Sequence, residues 1–249
     1  MSSINFLSYE QHLEIFERYE SGQNPKDIAL VFNTHWATIY KYLKREPKLY
    51  QAGSQNLNHE FFKNIDTDEK AYWLGFMLAD GNVRSNLKGL SLKLHIKDKN
   101  HIEKFQECLQ AEDYKITYYK DNVGIEIYSK YLVNDLISHG VVPKKSLVVE
   151  WPKNISQELD YAIIRGIFDG DGSVFIPKDK IITYNIAGTY NLLNIIKEKL
   201  SLSNKLSKRP GCYVLKQAGR NVCKKFYDYI YKDATVWLPR KRKIFEDNL

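Results

Sequence analysis

Three stretches near the N-terminus place apolar residues at helical spacing. Tyr9–Tyr19 carries Leu13, Ile15, Phe16 and Tyr19 as a stripe. Ser21-Gly22 ends it, and Pro25 suits the first turn of a second helix running to Phe32. Asn33-Thr34-His35 reads as a turn, with Asn33 able to take the left-handed conformation. Trp36–Lys44 then reads as a third helix, with Ile28-Ala29 facing Ile39, Tyr42 and Leu43. Residues 1–46 are therefore expected to form a small all-α domain. Residues 47–58, rich in Gly, Ser, Gln and Asn, read as a linker.

From His59 the pattern changes and then repeats. The first copy, residues 59–152, opens with an apolar helix in which Asp66 and Glu69 suit a capping box. Ser91–Ile96 alternates polar and apolar residues, as a half-buried strand does. Asn100–Gln110 follows as a helix, Tyr114–Lys120 and Val123–Tyr128 as a hairpin around Asp121-Asn122, and Lys130–His139 as a helix stopped by Gly140. The second copy, residues 153–249, keeps this order. It reads as helix Glu158–Asp169, strands Val174–Ile176 and Ile182–Ile186, helix Asn191–Leu200, a hairpin around Pro210-Gly211, and helix Asn221–Tyr231. The fold class this predicts is α+β, built from tandem pseudo-symmetric units behind an all-α domain.

Each copy begins with the same motif. Trp73-Leu74-Gly75-Phe76-Met77-Leu78-Ala79-Asp80-Gly81 matches Ile164-Arg165-Gly166-Ile167-Phe168-Asp169-Gly170-Asp171-Gly172. Gly75 and Ala79 lie one turn apart, as do Gly166 and Gly170, so two helices can approach backbone to backbone along these faces. If they cross in parallel, Asp80 and Asp171 emerge side by side. An acid at a helix C-terminus opposes the dipole, so its occurrence twice points to chemistry. Paired carboxylates repel unless a cation lies between them, and Mg²⁺ (or Mn²⁺) takes oxygen ligands of this kind. Such a centre suits attack by water on a phosphodiester, with a lysine offsetting developing charge. Pro143-Lys144-Lys145 and Pro239-Arg240-Lys241 recur once per copy, 65 positions after Asp80 and 70 after Asp171.

Charge sharpens the partner. The chain has 249 residues and a net charge of +7, yet residues 201–249 hold 12 Lys and Arg against 4 Asp and Glu, a net of +8, so the preceding 200 sum to −1. A concentrated basic segment favours a polyanion, through counterion release from phosphates. No apolar run approaches the roughly 18 residues of a membrane span. Cys108, Cys212 and Cys223 show no metal-ligand spacing and read as reduced thiols. With no secretory leader in view, a cytoplasmic, nucleoid-associated location is expected.

Two resemblances follow. The segment DIALVFNTHWATIYKYLK resembles a helix-turn-helix of the resolvase or sigma-factor type, which implies that His35, Trp36, Thr38 and Lys41 face a DNA groove. From His59 on, the paired motifs resemble a single-chain LAGLIDADG homing endonuclease. That resemblance implies two αββαββα units forming a saddle on double-stranded DNA, and a monomer with internal pseudo-twofold symmetry that cuts one phosphodiester per strand of a long site. It implies that Asp80 and Asp171 hold the metals, with the carbonyls of Ala79 and Gly170, and that Lys145 and Lys241 are the catalytic lysines. The expected DNA-facing set is Ser91, Lys93, His95, Lys97, Lys115, Thr117, Thr183, Asn185, Lys208 and Lys216, with Arg240 and Arg242 positioning phosphate. A non-catalytic transcription regulator and an intron RNA maturase share the scaffold and stay open. The copies also depart from each other: Leu78 stands where the consensus has an acid, and Lys97-Asp98 is matched by Ala187-Gly188. Unequal centres are therefore expected.

Overall fold

The computed structural model describes residues 9–40, 43, 56–178 and 181–249. The chain divides between Gln55 and Asn56 into two units. In the first, α1 (Tyr9–Glu20) precedes α2 (Pro25–Val31), whose N-terminus is capped by the Asn24 side chain accepting from the Lys26 amide. Asn33 takes φ 45°, and the Thr34 amide returns to the Ala29 carbonyl at 3.0 Å. The next helix, α3, covers 36–40 and includes 43. Ile15, Ile28, Ala29, Ile39 and Leu43 form a small separate core, with Phe32 packed against it.

In the second unit, three residues placed in the linker by composition are already folded. Leu57 is buried in the main core, and the Asn58 amide donates to the Leu109 carbonyl at 2.8 Å. A single apolar residue among polar ones gave little warning of this. The first half then runs α4 (Asp68–Ala79), β1 (Gly81–Val83), β2 (Leu90–His95), α5 (Lys99–Cys108), β3 (Thr117–Tyr118), β4 (Asn122–Ile127) and α6 (Lys130–Ser138). The second runs α7 (Asp160–Asp171), β5 (Gly172–Phe175), β6 (Thr183–Gly188), α8 (Tyr190–Lys199), β7 (Ser207–Arg209), β8 (Cys212–Ala218) and α9 (Arg220–Tyr231), followed by α10 (Pro239–Asn248). Both halves are αββαββα. Their antiparallel sheets have the same order, β1-β2-β4-β3 and β5-β6-β8-β7.

Each sheet buries one face. Leu90, Leu92 and Leu94 alternate inward on β2 and meet Val123, Ile125 and Ile127 of β4. Tyr184, Ile186 and Leu215 play that part in the second half. Period-2 alternation thus sends the intervening polar residues to the opposite face. Two sequence expectations need correction, and one helix was not foreseen. Thr67, not Asp66, caps α4: its Oγ1 accepts from the Lys70 amide, while Asp66 pairs with the Lys70 ammonium and Glu69 takes the Cys108 thiol. The strand expected over 114–120 is only Thr117–Tyr118. The basic C-terminal tail is a helix, started by Pro239 at its first position.

The halves are joined by α4 and α7, which make the most extensive contact of any two elements. A Cβ on Gly75 would lie 2.2 Å from the Ile163 carbonyl oxygen, and one on Gly166 would lie 2.1 Å from that of Tyr72. One on Gly170 would lie 2.3 Å from the Ala79 Cβ. Partners advance together along both helices, from 75 with 163 to 79 with 170, so the crossing is parallel. Overpacking of this kind costs about 1–3 kcal/mol. Gly75→Ala and Gly166→Ala should each lower the unfolding free energy by that amount, seen as a lower urea midpoint at unchanged m-value. Gly188→Ala, whose Cβ would find only ordinary contacts at 3.4 Å, should stay within about 0.5 kcal/mol of wild type.

Candidate functional site

Because α4 and α7 run in parallel, they end together, and Asp80 and Asp171 are their terminal acids. Both residues remain solvent-exposed. Protein still crowds each carboxylate enough for desolvation to raise its pKa, that of Asp171 to about 6, with the Asp80 charge adding to the effect. The last carbonyls of a helix have no intrahelical partners, and here the predicted lysines supply them. Lys145 Nζ donates to the Ala79 carbonyl at 2.6 Å. Lys241 Nζ donates to the carbonyls of Phe168 at 2.8 Å, Asp169 at 2.7 Å and Gly172, with that of Gly170 at 3.4 Å. Each lysine closes its own motif helix and offsets the negative end of its dipole. Burial pushes the Lys145 ammonium down, against the pull of Asp171 and Asp80, and pushes Lys241 to about 8.

The four residues singled out from the two Pro-basic-Lys signals and the two motifs therefore meet at one place. The carbonyls of Ala79 and Gly170 lie there too, both engaged by lysine. Among the described residues no three His, Cys, Asp or Glu side chains gather as a metal cluster. A hard divalent cation at this place would rest on two carboxylates, with backbone, water and phosphate oxygens completing its shell. Two mutually repelling acids with raised pKa values form a donor set that fits such an ion.

The outward residues are placed unevenly. Lys93 and His95 of β2 are exposed, Ser91 is half-buried, and Lys93 reaches over the Tyr119 ring at 4.1 Å. Lys97 is exposed in the turn that His95 caps. Lys115 is exposed but precedes β3, whereas Thr117 lies on it. Lys208 and Lys216 are exposed on β7 and β8, and Asn185, half-buried on β6, accepts from the Ser173 hydroxyl at 2.8 Å. Thr183 is a correction: it is 1% exposed, flanked in register by Phe175 and Ala218, and its hydroxyl donates to the Ile181 carbonyl. A polar residue at the outward parity of a strand is not thereby open to a ligand. Arg240 and Arg242 are both engaged by neighbouring side chains, Arg240 while staying exposed and Arg242 half-buried. Arg240 forks onto Asp98 at 2.9 and 3.0 Å, and Arg242 bonds Glu246 and covers the Trp237 ring at 4.2 Å. In the first unit His35 and Trp36 are exposed, and Thr38 is half-buried. Lys41 lies outside the described residues.

Sequence reasoning missed a buried polar network beside the acids. Arg165, fully enclosed, forks onto both oxygens of Asp68 at 2.7 Å and donates to the carbonyls of Val236 and Ile230. Burial alone would raise the Asp68 pKa, but the Arg165 guanidinium and Thr235 outweigh it and hold it low. The Tyr72 hydroxyl donates to Asp169 Oδ2 at 2.9 Å and meets His101 Nε2 at 2.7 Å. Its one hydrogen being used, it accepts from His101, whose buried Nδ1 has no partner. Burial, with Lys104 and Arg240 nearby, pushes His101 down to about 3, so it is neutral. The available signal was Arg165 and Asp169 standing one turn apart within an apolar helix.

No protein-family model and no curated protein matches the sequence. Among solved structures the chain is similar to the LAGLIDADG meganuclease I-AabMI bound to uncleaved DNA, at 14% identity and TM-score 0.52 over 71% of this chain and 87% of that one. It is similar to I-SmaMI bound to uncleaveable DNA, at 12% identity and TM-score 0.52 over 71% and 87%. It also resembles the I-LtrWI LAGLIDADG homing endonuclease bound to target DNA, at 14% identity and TM-score 0.51 over 76% and 89%. The shared feature is the fold.

The raised Asp171 pKa gives a test. Its ordinary value is 3.8 and its folded value about 6, so the native state holds its proton more tightly than the unfolded chain. Stability is lost as pH rises through this window. In EDTA, Asp171→Asn should melt above wild type at pH 8, and the gap should close towards pH 4.5. A variant less stable than wild type at pH 8 would contradict this.

Proposed function

We propose that this protein is a metal-dependent endonuclease that cuts both strands of a long, specific double-stranded DNA site as a monomer. The observation that carries the reading is the meeting of Asp80, Asp171, Lys145 and Lys241 at the shared foot of two parallel helices. The DNA complexes of the similar structures support it at the level of fold.

The residues divide the work by chemistry. Asp80 and Asp171, with the carbonyls of Ala79 and Gly170, would hold Mg²⁺ or Mn²⁺. A bound divalent ion supplies Lewis-acid activation of water and neutralises phosphate charge. Lys145, part-buried and pulled towards both acids, offers N–H donors to a phosphate oxygen. Lys241 holds the end of α7 and so fixes where Asp171 stands. Register sets Lys208 opposite Tyr213 and Tyr118 opposite Val123, on the core side of their sheets. The outward faces carry Lys93, His95 and Lys216, with exposed Tyr119 and Tyr128 just past the ends of β3 and β4. That mixture suits a groove-following interface, in which cations meet phosphates and amphipathic rings meet bases and sugars. Residues 1–46 would extend the footprint as a helix-turn-helix, with His35 and Trp36 at the exposed start of α3. No helix among the described residues is long and apolar enough to cross a membrane. An intracellular, nucleoid-associated location belongs to the same reading.

A duplex selected by the wild-type protein from a randomised DNA pool in EDTA provides the substrate. Wild type should cut both strands of it when Mg²⁺ is added, and the absence of Mg²⁺-dependent cutting sinks the reading. Asp80→Asn should slow double-strand cutting at least 100-fold while the Kd for DNA changes less than threefold. Deleting residues 1–46 should shorten the protected footprint and weaken binding at least tenfold. An unchanged footprint would leave that domain a structural part only.

A further inference from the structure

The two lysines of the site are held in unlike ways. An ammonium has three N–H bonds. Lys241, 2% exposed, spends all three on the carbonyls of Phe168, Asp169 and Gly172, with that of Gly170 sharing one of them at 3.4 Å. Lys145, 8% exposed, has one hydrogen-bond partner among the described residues, the Ala79 carbonyl. Two of its N–H bonds remain for other groups.

Their supports differ as well. Lys241 rides in the first turn of α10, three residues after Leu238. The Leu238 amide donates to Asp169 Oδ2 at 2.7 Å, and the Tyr72 hydroxyl donates to the same oxygen at 2.9 Å. The Tyr231 hydroxyl reaches Oδ1 at 3.4 Å. Asp169 is 1% exposed, and the charges of Lys241 and Arg165 act on it beside these donors. The first half has no such device. Motif alignment sets Leu78 against Asp169 and Leu74 against Arg165, and neither leucine can bond a backbone amide. Lys145 instead follows Lys144, at φ 56°, into one 3-10 turn (Lys145–Leu147) in which Leu147, like the following Val148, is exposed.

We propose that Asp169 is a positioning residue that docks the start of α10 and so locks Lys241 as a clamp on the end of α7, leaving Lys145 as the ammonium with donors available to the reacting phosphate. The two strands are then cut at unequal rates, one depending on Lys145 and the other on the Asp169–Lys241 clamp. This rests on the nuclease reading.

The test uses the full chain and a duplex bearing the selected site, labelled on both strands, in Mg²⁺. Wild type should cut the strands with rate constants at least threefold apart. Asp169→Leu, which copies the first half, should slow one strand at least tenfold and the other less than threefold, with the Kd for DNA changed less than threefold. Asp169→Asn keeps an oxygen for the Leu238 amide and should restore most of the lost rate. Lys145→Met should show the opposite strand preference. Should Asp169→Leu not fold, Tyr72→Phe removes one hydroxyl from the same carboxylate and should slow the same strand at least threefold. Equal slowing of both strands, or strand rates unmoved by the Asp169 and Tyr72 variants, overturns the inference while wild-type cutting leaves the nuclease standing. No cutting by wild type overturns both.

Discussion

Everything in the larger unit depends on how closely two helix backbones can approach. At Gly75 and Gly166 a side-chain atom would sit inside van der Waals contact with the opposite main chain, so glycine is needed there for space. Gly in a helix costs about 0.5–1 kcal/mol relative to Ala, and the close packing of buried side chains from both halves, Tyr72, Phe76, Ile163 and Ile167 among them, offsets this. Parallel crossing then has a consequence for charge: two negative dipole ends and two acids arrive at the same place.

That place is stable because cations reach it from both halves. The lysines satisfy helix carbonyls that would otherwise lack partners, and their charges oppose those of the acids. Desolvation still raises the carboxylate pKa values. The second half carries more of the structural work. Arg165 and Asp169 fasten α7 to the N-terminus of α4 and to the segment before α10, while their counterparts Leu74 and Leu78 simply pack in the core. Repetition supplied the architecture, and divergence within the repeat supplied the asymmetry.

Much of this was written locally in the chain. Helices and strands followed from period, with ends within a few residues, because one face of each is buried and the other is not. The strand order, identical in both halves, followed from the repeat. The side-by-side ends of α4 and α7, with Asp80 and Asp171, were legible because small residues one turn apart on both motifs call for a close parallel crossing. The helix at Pro239–Asn248 was hidden by its dense charges, which pair internally at one-turn spacing. Thr183 was misplaced because alternation specifies a face but not what covers it.

The sequence by itself determined the two αββαββα halves, the small helical unit, the parallel acids and the lysine assigned to each. These rest on periodicity and on residue types with few alternative uses. Only the tertiary structure decided that Arg240 pairs with Asp98 and Arg242 with Glu246, that Lys241 is saturated while Lys145 is not, and that Tyr72, His101, Asp169 and Leu238 form one network. The physical reason is that hydrogen-bond partners 60 to 100 residues apart leave no period in a sequence: Asp169 meets Tyr72 across 97 positions and Leu238 across 69. Such contacts exist only once two glycine-lined helices have closed.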